Sequence, residues 1–176
     1  MADSDGIRAV SVRSVAFQAG LTTDQIYRWV PSRDDLVGAM VERVVADSRS
    51  WAAVGAGAAH PELAHPRDYL ERSARDEWAL YRRHPWLLAV LVTTRPPTPP
   101  ALLAMVDRTV AVLIGAGHDS DDAFSAYLTL SGYVQGMALL HIAERAELHA
   151  GAAAWDTWWS PDPAEAGRVT SYSTRV

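Results

Sequence analysis

The sequence has no cysteine, which excludes a disulfide framework, a thiolate metal site and a cysteine nucleophile. Lysine is missing too. All sixteen basic residues are arginine, a bias that goes with the Ala-, Gly- and Val-rich composition of a GC-rich genome and points to no chemistry of its own. There is no run of ~18 apolar residues free of charge. The opening MADSDGIRAV is acidic and lacks the apolar segment of a secretion signal, so a cytoplasmic protein with no membrane partner is expected. Nor is there a nucleophile elbow, a phosphate loop or a catalytic triad pattern, and neither an enzyme nor a cofactor is expected. His141, Glu144, Glu147 and His149 lie at helical or near-helical spacing. With no second ligand pair elsewhere on the chain, they read as a solvated helix end rather than a metal site.

What is present is helical. The 176 residues, 49% apolar, suffice for one substantial core or for a small domain fused to a larger one. The formal net charge of −5 speaks against nucleic acid as a partner for the chain as a whole, because phosphate affinity comes from neutralising cations. Locally the balance reverses. Between Gly6 and Arg33 stand Arg8, Arg13, Arg28 and Arg33 against the single acid Asp24, which leaves that window at +3.

No segment alternates like a strand, and breakers divide the chain into helices. Ser11 can N-cap a short helix with Val12, Val15 and Ala16 on one face, ended by Gly20. Thr22-Thr23-Asp24-Gln25 has the form of a capping box, and Pro31 closes the helix that it opens. Ser32-Arg33-Asp34-Asp35 is a second N-cap signature, starting a longer helix to about Arg49 whose stripe is Leu36, Met40 and Val44 with Val37 and Val41. Ala52 to Pro66 is rich in small residues and proline, and a domain boundary is placed there: 1–50 on one side, 51–176 on the other. Further helices are predicted over Arg67–Arg83, Pro85–Thr93, Pro99–Ile114 and Asp119–Leu148. The fold class is all-α, a helix-turn-helix unit followed by a helical bundle.

A helix, a short turn with glycine and a second helix is the arrangement that lays one helix in the DNA major groove while the other braces it. With Leu21, Ile26 and either Trp29 or Val30 turned inward, Thr23, Asp24, Gln25 and Arg28 project from the opposite side. Gln favours adenine and Arg favours guanine when such side chains read bases.

The run VSVRSVAFQAGLTTDQIYRWVPSRDDLVGAMVE resembles the DNA-binding segment of the TetR (tetracycline-repressor) family, in Ala16, Gly20, Leu21, Thr22, Ile26, Tyr27, Trp29, Ser32, Arg33, Asp34, Asp35 and Leu36. The resemblance implies operator contacts from Thr22, Thr23, Gln25, Tyr27 and Arg28, and phosphate contacts from Ser11, Arg13 and Arg33. The alternative reading of Tyr27 is a core aromatic, and of Arg33 a solvated charge at the helix start. YRRHPWLLAVLVTTRPPTPPALLAMVD and GHDSDDAFSAYLTLSGYVQGMALL are similar to the C-terminal effector-binding and dimerisation domain of the tetracycline-repressor subgroup. A ligand-responsive repressor released from its operator DNA by a small molecule is what this implies, with allosteric coupling between two sites.

Trp78, Tyr81, Trp86, Met105, Tyr127, Tyr133, Met137 and His141 combine apolar bulk with polar tips and are the candidate lining for an apolar or aromatic effector. His84, at a helix corner, suggests a structural cap. Gly132 and Gly136, four residues apart in a helix, each cost about 1 kcal/mol relative to alanine. Close approach of another helix offsets that, either in a homodimer or within the chain. Against the family pattern both ends are short. Only Met1 to Asp5 stand where a first helix belongs, so the inward faces of Val12, Val15, Ile26 and Trp29 are expected to lack one wall, at a cost of several kcal/mol at ~25 cal/mol per Å2. After the long helix, Trp155, Trp158 and Trp159 precede a polar tail where the family has a further helix. A second reading is therefore a truncated helical relative that binds ligand or a partner but not DNA.

Overall fold

A computed structural model describes residues 1–48 and 65–149. Among the described residues every regular element is helical. In order they are α1 (Ala2–Asp5), a 3-10 turn (Ile7–Ala9), α2 (Val12–Ala19), α3 (Thr23–Tyr27), α4 (Arg33–Ala46), α5 (Pro66–Arg83), α6 (Trp86–Leu91), α7 (Pro100–Gly115) and α8 (Ser120–His149). The boundary expected at 50/51 and the tryptophan cluster Trp155, Trp158 and Trp159 lie outside the described residues. The chain divides into two compact units, Met1–Ala138 and Leu139–Val176.

Local chemistry sets the ends of the first helices. Ser11 caps α2 with a reciprocal bond set: its Oγ accepts from the Ser14 N–H at 3.0 Å, and the Ser14 hydroxyl accepts from the Ser11 N–H at 2.9 Å. Gly20 ends α2 at φ 68°, a left-handed conformation that suits glycine, and Leu21 N–H closes the turn on Ala16 O at 2.9 Å. The box at α3 forms as its residue types require, with Gln25 N–H on Thr22 Oγ1 at 3.3 Å and Thr22 N–H on Gln25 Oε1 at 2.8 Å. Ser32 caps α4.

The N-terminal core gathers Val10, Val12 and Leu36, with Met1, Ala2, Ile7, Val15, Ile26, Val30 and Met40 packed against them. Two expectations are corrected here. The inward faces of Val12, Val15 and Ile26 are not left without a wall, because α1 and the 3-10 turn fold back so that Met1, Ala2 and Ile7 cover the cluster. Trp29 is not part of that core: it is 85% exposed, and Val30 takes the inward place. The chain leaves α3 through bonds from Trp29 N–H and Val30 N–H to the same carbonyl, Ile26 O, and of these two neighbours only one can face the cluster. Leu21, at 44% exposure, also stands mostly outside.

α4 packs along α7, while α6 and α7 both pack on α5. Val41 and Val45 of α4, Leu80 of α5, Leu87 and Leu88 of α6, and Val112 of α7 are buried there. Two polar links accompany this packing. The Glu42 carboxylate on α4 accepts the Ala101 N–H at the start of α7 at 2.7 Å. Asp3 Oδ1 in α1 accepts from Trp86 Nε1 and bonds His84 Nδ1, each at 2.8 Å, so the corner between α5 and α6 is fastened to the N-terminus. In the second unit, the described stretch is the end of α8, carrying exposed Leu139, Leu140 and Leu148.

Candidate nucleic-acid interface and effector cluster

The helix-turn-helix is formed by α2 and α3, which pack on each other. Thr22, Gln25, Tyr27 and Arg28 are exposed, while Thr23 is half-buried in the first turn of α3. Tyr27, at 50% exposure, is not a core aromatic. Gln25 has its Oε1 on the cap and only its amide NH2 left to reach outward. Arg13 is exposed on α2, whereas Ser11 is half-buried and its hydroxyl serves the cap. Arg33 donates from Nε to Val10 O at 3.0 Å and from Nη2 to Ile7 O at 2.9 Å, so this guanidinium first holds the 3-10 turn against α4. Phe17 and Trp29, 86% and 85% exposed, extend the surface beside these polar groups, and neither stood among the sequence candidates for contact with DNA.

The effector candidates separate into three groups. Tyr81, Trp86 and Met105 are buried, and Trp78, Tyr127 and His141 are half-buried. Tyr133, 68% exposed, and Met137 lie on the outside of α8, away from a common interior lining. The helical period explains this. Ser131, Val134 and Ala138 occupy the inward stripe of α8, so residues one position earlier are rotated out of it. Trp86 is tied by its indole N–H to Asp3, and the His84 side chain bonds the same carboxylate oxygen through Nδ1, a link to α1 in place of the helix cap expected of it.

The interior contains a polar cluster that sequence reasoning missed. Glu77 of α5, only 6% exposed, accepts at Oε1 from Tyr81 Oη at 2.8 Å and from Ser131 Oγ at 2.7 Å. Gln135 Nε2 bridges the two donors, at 3.2 Å from Tyr81 Oη and 3.1 Å from Ser131 Oγ. Burial pushes the Glu77 carboxyl above its ordinary value, and the bonds from Ser131, Tyr81 and Gln135 only partly oppose it. Tyr81 and Tyr127 are both raised, first by burial and then by the neighbouring Glu77 charge. A signal was there to be read: Tyr69, Glu77 and Tyr81 fall at helical spacing on one face of α5, an acid inside an apolar stripe. Among the described residues no group of three or more His, Asp or Glu is placed to hold a metal ion. Nor is any helix among them long and apolar enough to cross a membrane.

Comparison with known proteins matches residues 61–158 to the domain described as "Tetracyclin repressor-like, C-terminal domain". The chain is 32% identical over 164 residues to the HTH-type transcriptional repressor DrrR1 of Streptomyces coeruleorubidus, covering 93% of this chain and 58% of that protein. To an HTH-type transcriptional regulator of Saccharopolyspora erythraea it is 29% identical over 134 residues, covering 76% of this chain and 53% of the relative. The chain thus spans little more than half the length of the curated relatives it matches. A solved structure described as a possible TetR family transcriptional regulator from Streptomyces coelicolor A3(2) shares the fold, at a TM-score of 0.68 and 23% identity, over 98% of this chain and 80% of that one. The matched C-terminal domain and the all-helical fold behind a capped helix-turn-helix identify the chain as a member of the TetR (tetracycline-repressor) family.

Proposed function

We propose that this chain is a ligand-responsive transcriptional repressor of the cytoplasm, in which residues 1–50 hold operator DNA and 51–176 bind a small effector and a second copy of the chain. The observation that carries this reading is α3, capped at both Thr22 and Gln25, with Tyr27 and Arg28 exposed at its far end. A short helix fixed at its N-terminus and polar outside is what major-groove readout requires. Arg13 adds phosphate affinity on α2, and Arg33 contributes by ordering the 3-10 turn.

Dimerisation is supported by α8. Phe124, Leu128, Tyr133 and Met137 are all exposed along it, and a Cβ added at Gly132 or Gly136 would meet nothing within 4 Å. A tight contact within the described chain therefore does not account for the two glycines, and the open space over them supports close approach by a second copy. The effector side rests on Tyr81 and Tyr127, gathered with Glu77 in the interior.

The experiment is a gel shift with duplex DNA flanking the gene, run at several stated salt concentrations. Specific retardation that weakens with salt, and that Tyr27→Ala together with Arg28→Ala abolishes, is the expected result. Retardation absent in the wild type, or unchanged in the double variant, overturns the reading.

A further inference from the structure

A groove of about 360 Å3 lies where the 3-10 turn and the head of α4 meet α6 and the proline-rich link that follows it. Its size falls at the small end of the roughly 300–1,000 Å3 of small-molecule sites. Ile7, Val37, Val90, Pro96 and Pro97 give it apolar walls, and the two prolines stiffen the link on that side. None of its lining residues belongs to the Glu77 cluster, so it is a separate place on the molecule.

The charged lining sets its chemistry. Arg33 and Arg95 stand against the single acid Asp34, which leaves the groove at +1 in a chain whose net charge is −5. Among the described residues no ion pair joins either guanidinium to Asp34 or to any other acid. Arg33 already spends Nε and Nη2 on Val10 O and Ile7 O, so Nη1 remains to donate from a guanidinium that folding has placed. Arg95 is exposed on the link, where the proline after it restricts its backbone. Guanidinium donors beside apolar walls suit a carboxylate with a hydrocarbon body, since the charge-assisted bonds and the buried apolar area are gained together.

We infer that this groove is a ligand site of its own, taking a small monocarboxylate with an apolar body. The carboxylate meets the Arg33 and Arg95 guanidiniums, and the body lies along Val37, Val90 and the two prolines. A monoanion matches the net charge of the lining. Ile7, Arg33 and Val37 come from the proposed DNA-holding segment, whereas Val90 and Arg95 come from the proposed effector segment, so an occupant ties α4 to α6.

The test uses two dyes that differ in one charge, dansylglycine, a carboxylate at neutral pH, and dansylglycinamide, its neutral amide. Binding to the full chain is followed by dansyl fluorescence, with DNA retardation measured on the same preparation. The wild type is expected to bind the carboxylate at least about tenfold more tightly than the amide, a preference that the acidic chain as a whole works against. Arg95→Gln is expected to reduce the preference to within about threefold, and Arg72→Gln, which removes the same charge from outside the groove, to leave it intact. Equal affinity of the wild type for both dyes, no saturable binding of either, a preference that survives in Arg95→Gln, or an equal loss in Arg72→Gln overturns the inference. The wild-type comparison decides the matter alone should a variant not fold. Absent DNA retardation sinks the regulator reading and leaves this site to be judged by the dyes.

Discussion

Replacing Asp3 with alanine removes one carboxylate oxygen on which two side chains depend. Trp86 is 5% exposed, so the loss of Asp3 Oδ1 strands an indole N–H that water reaches poorly, at a cost of about 1–3 kcal/mol. The His84 bond lies nearer solvent and adds about 0.5–1.5 kcal/mol. Taken together, about 2–4 kcal/mol of stability is expected to go, a fall in Tm on the order of 5–10 °C for a chain of this size. Urea denaturation followed by tryptophan fluorescence, with a thermal melt by circular dichroism, measures it. The partner control is Trp86→Phe, which removes the donor and keeps the ring. In that background Asp3→Ala should lose only the smaller His84 share, so that the two substitutions are non-additive by the indole share, about 1–3 kcal/mol. A loss within about 0.5 kcal/mol of zero for Asp3→Ala, or strict additivity with Trp86→Phe, would refute the idea that the N-terminal helix is fastened through these bonds.

Val41→Ala, at a position of α4 with no exposure, is expected to cost about 2 kcal/mol in a chemical melt through the space it leaves; an unchanged midpoint would mean that the surrounding helices close over the gap. Glu77 has a raised folded-state pKa, so its protonated form favours the fold: this contribution is fully present below its ordinary value of 4.5 and is lost as the pH rises through the raised value. Tm of the wild type should therefore fall relative to Glu77→Gln as the pH is raised from acid to neutral, and parallel curves across that range would contradict the burial argument. Gly136→Ala adds a methyl that meets nothing in the single chain and replaces a poor helix former, raising the stability of the isolated chain by up to about 1 kcal/mol while weakening self-association in sedimentation velocity. Undiminished association in that variant would move the interface off this face of α8.

Helix starts were legible because they are local. Ser11, Thr22 and Ser32 each carry their capping chemistry within three residues, and the structure needs nothing distant to complete it. The end of α4 at Ala46, three residues before the expected Arg49, shows how little a sequence marks a helix end that lacks glycine or proline. Trp29 and Val30 could not be told apart from their types, since both are apolar and only the path out of α3 decides which is inward. The cover supplied by Met1, Ala2 and Ile7 was invisible for a related reason: it depends on the chain folding back over a core made elsewhere. Glu77 was overlooked because an acid in an arginine-rich helix reads as surface, and its place in the Tyr69–Tyr81 stripe gains meaning only once Ser131 and Gln135 arrive from α8. Tyr133 and Met137 were grouped with the interior aromatics by composition, which ignores the rotation that carries them out.

The bond from Ala101 to Glu42 has a mechanical consequence. Pro99 and Pro100 bring no N–H to the head of α7, so the first donor there belongs to Ala101, and no side chain near it in sequence caps that helix. Its lid is borrowed from α4 across 59 positions of chain. A turn or slide of α4 that withdraws Glu42 must therefore either uncover the head of α7 or drag it along, which makes the two rods a single lever rather than neighbours.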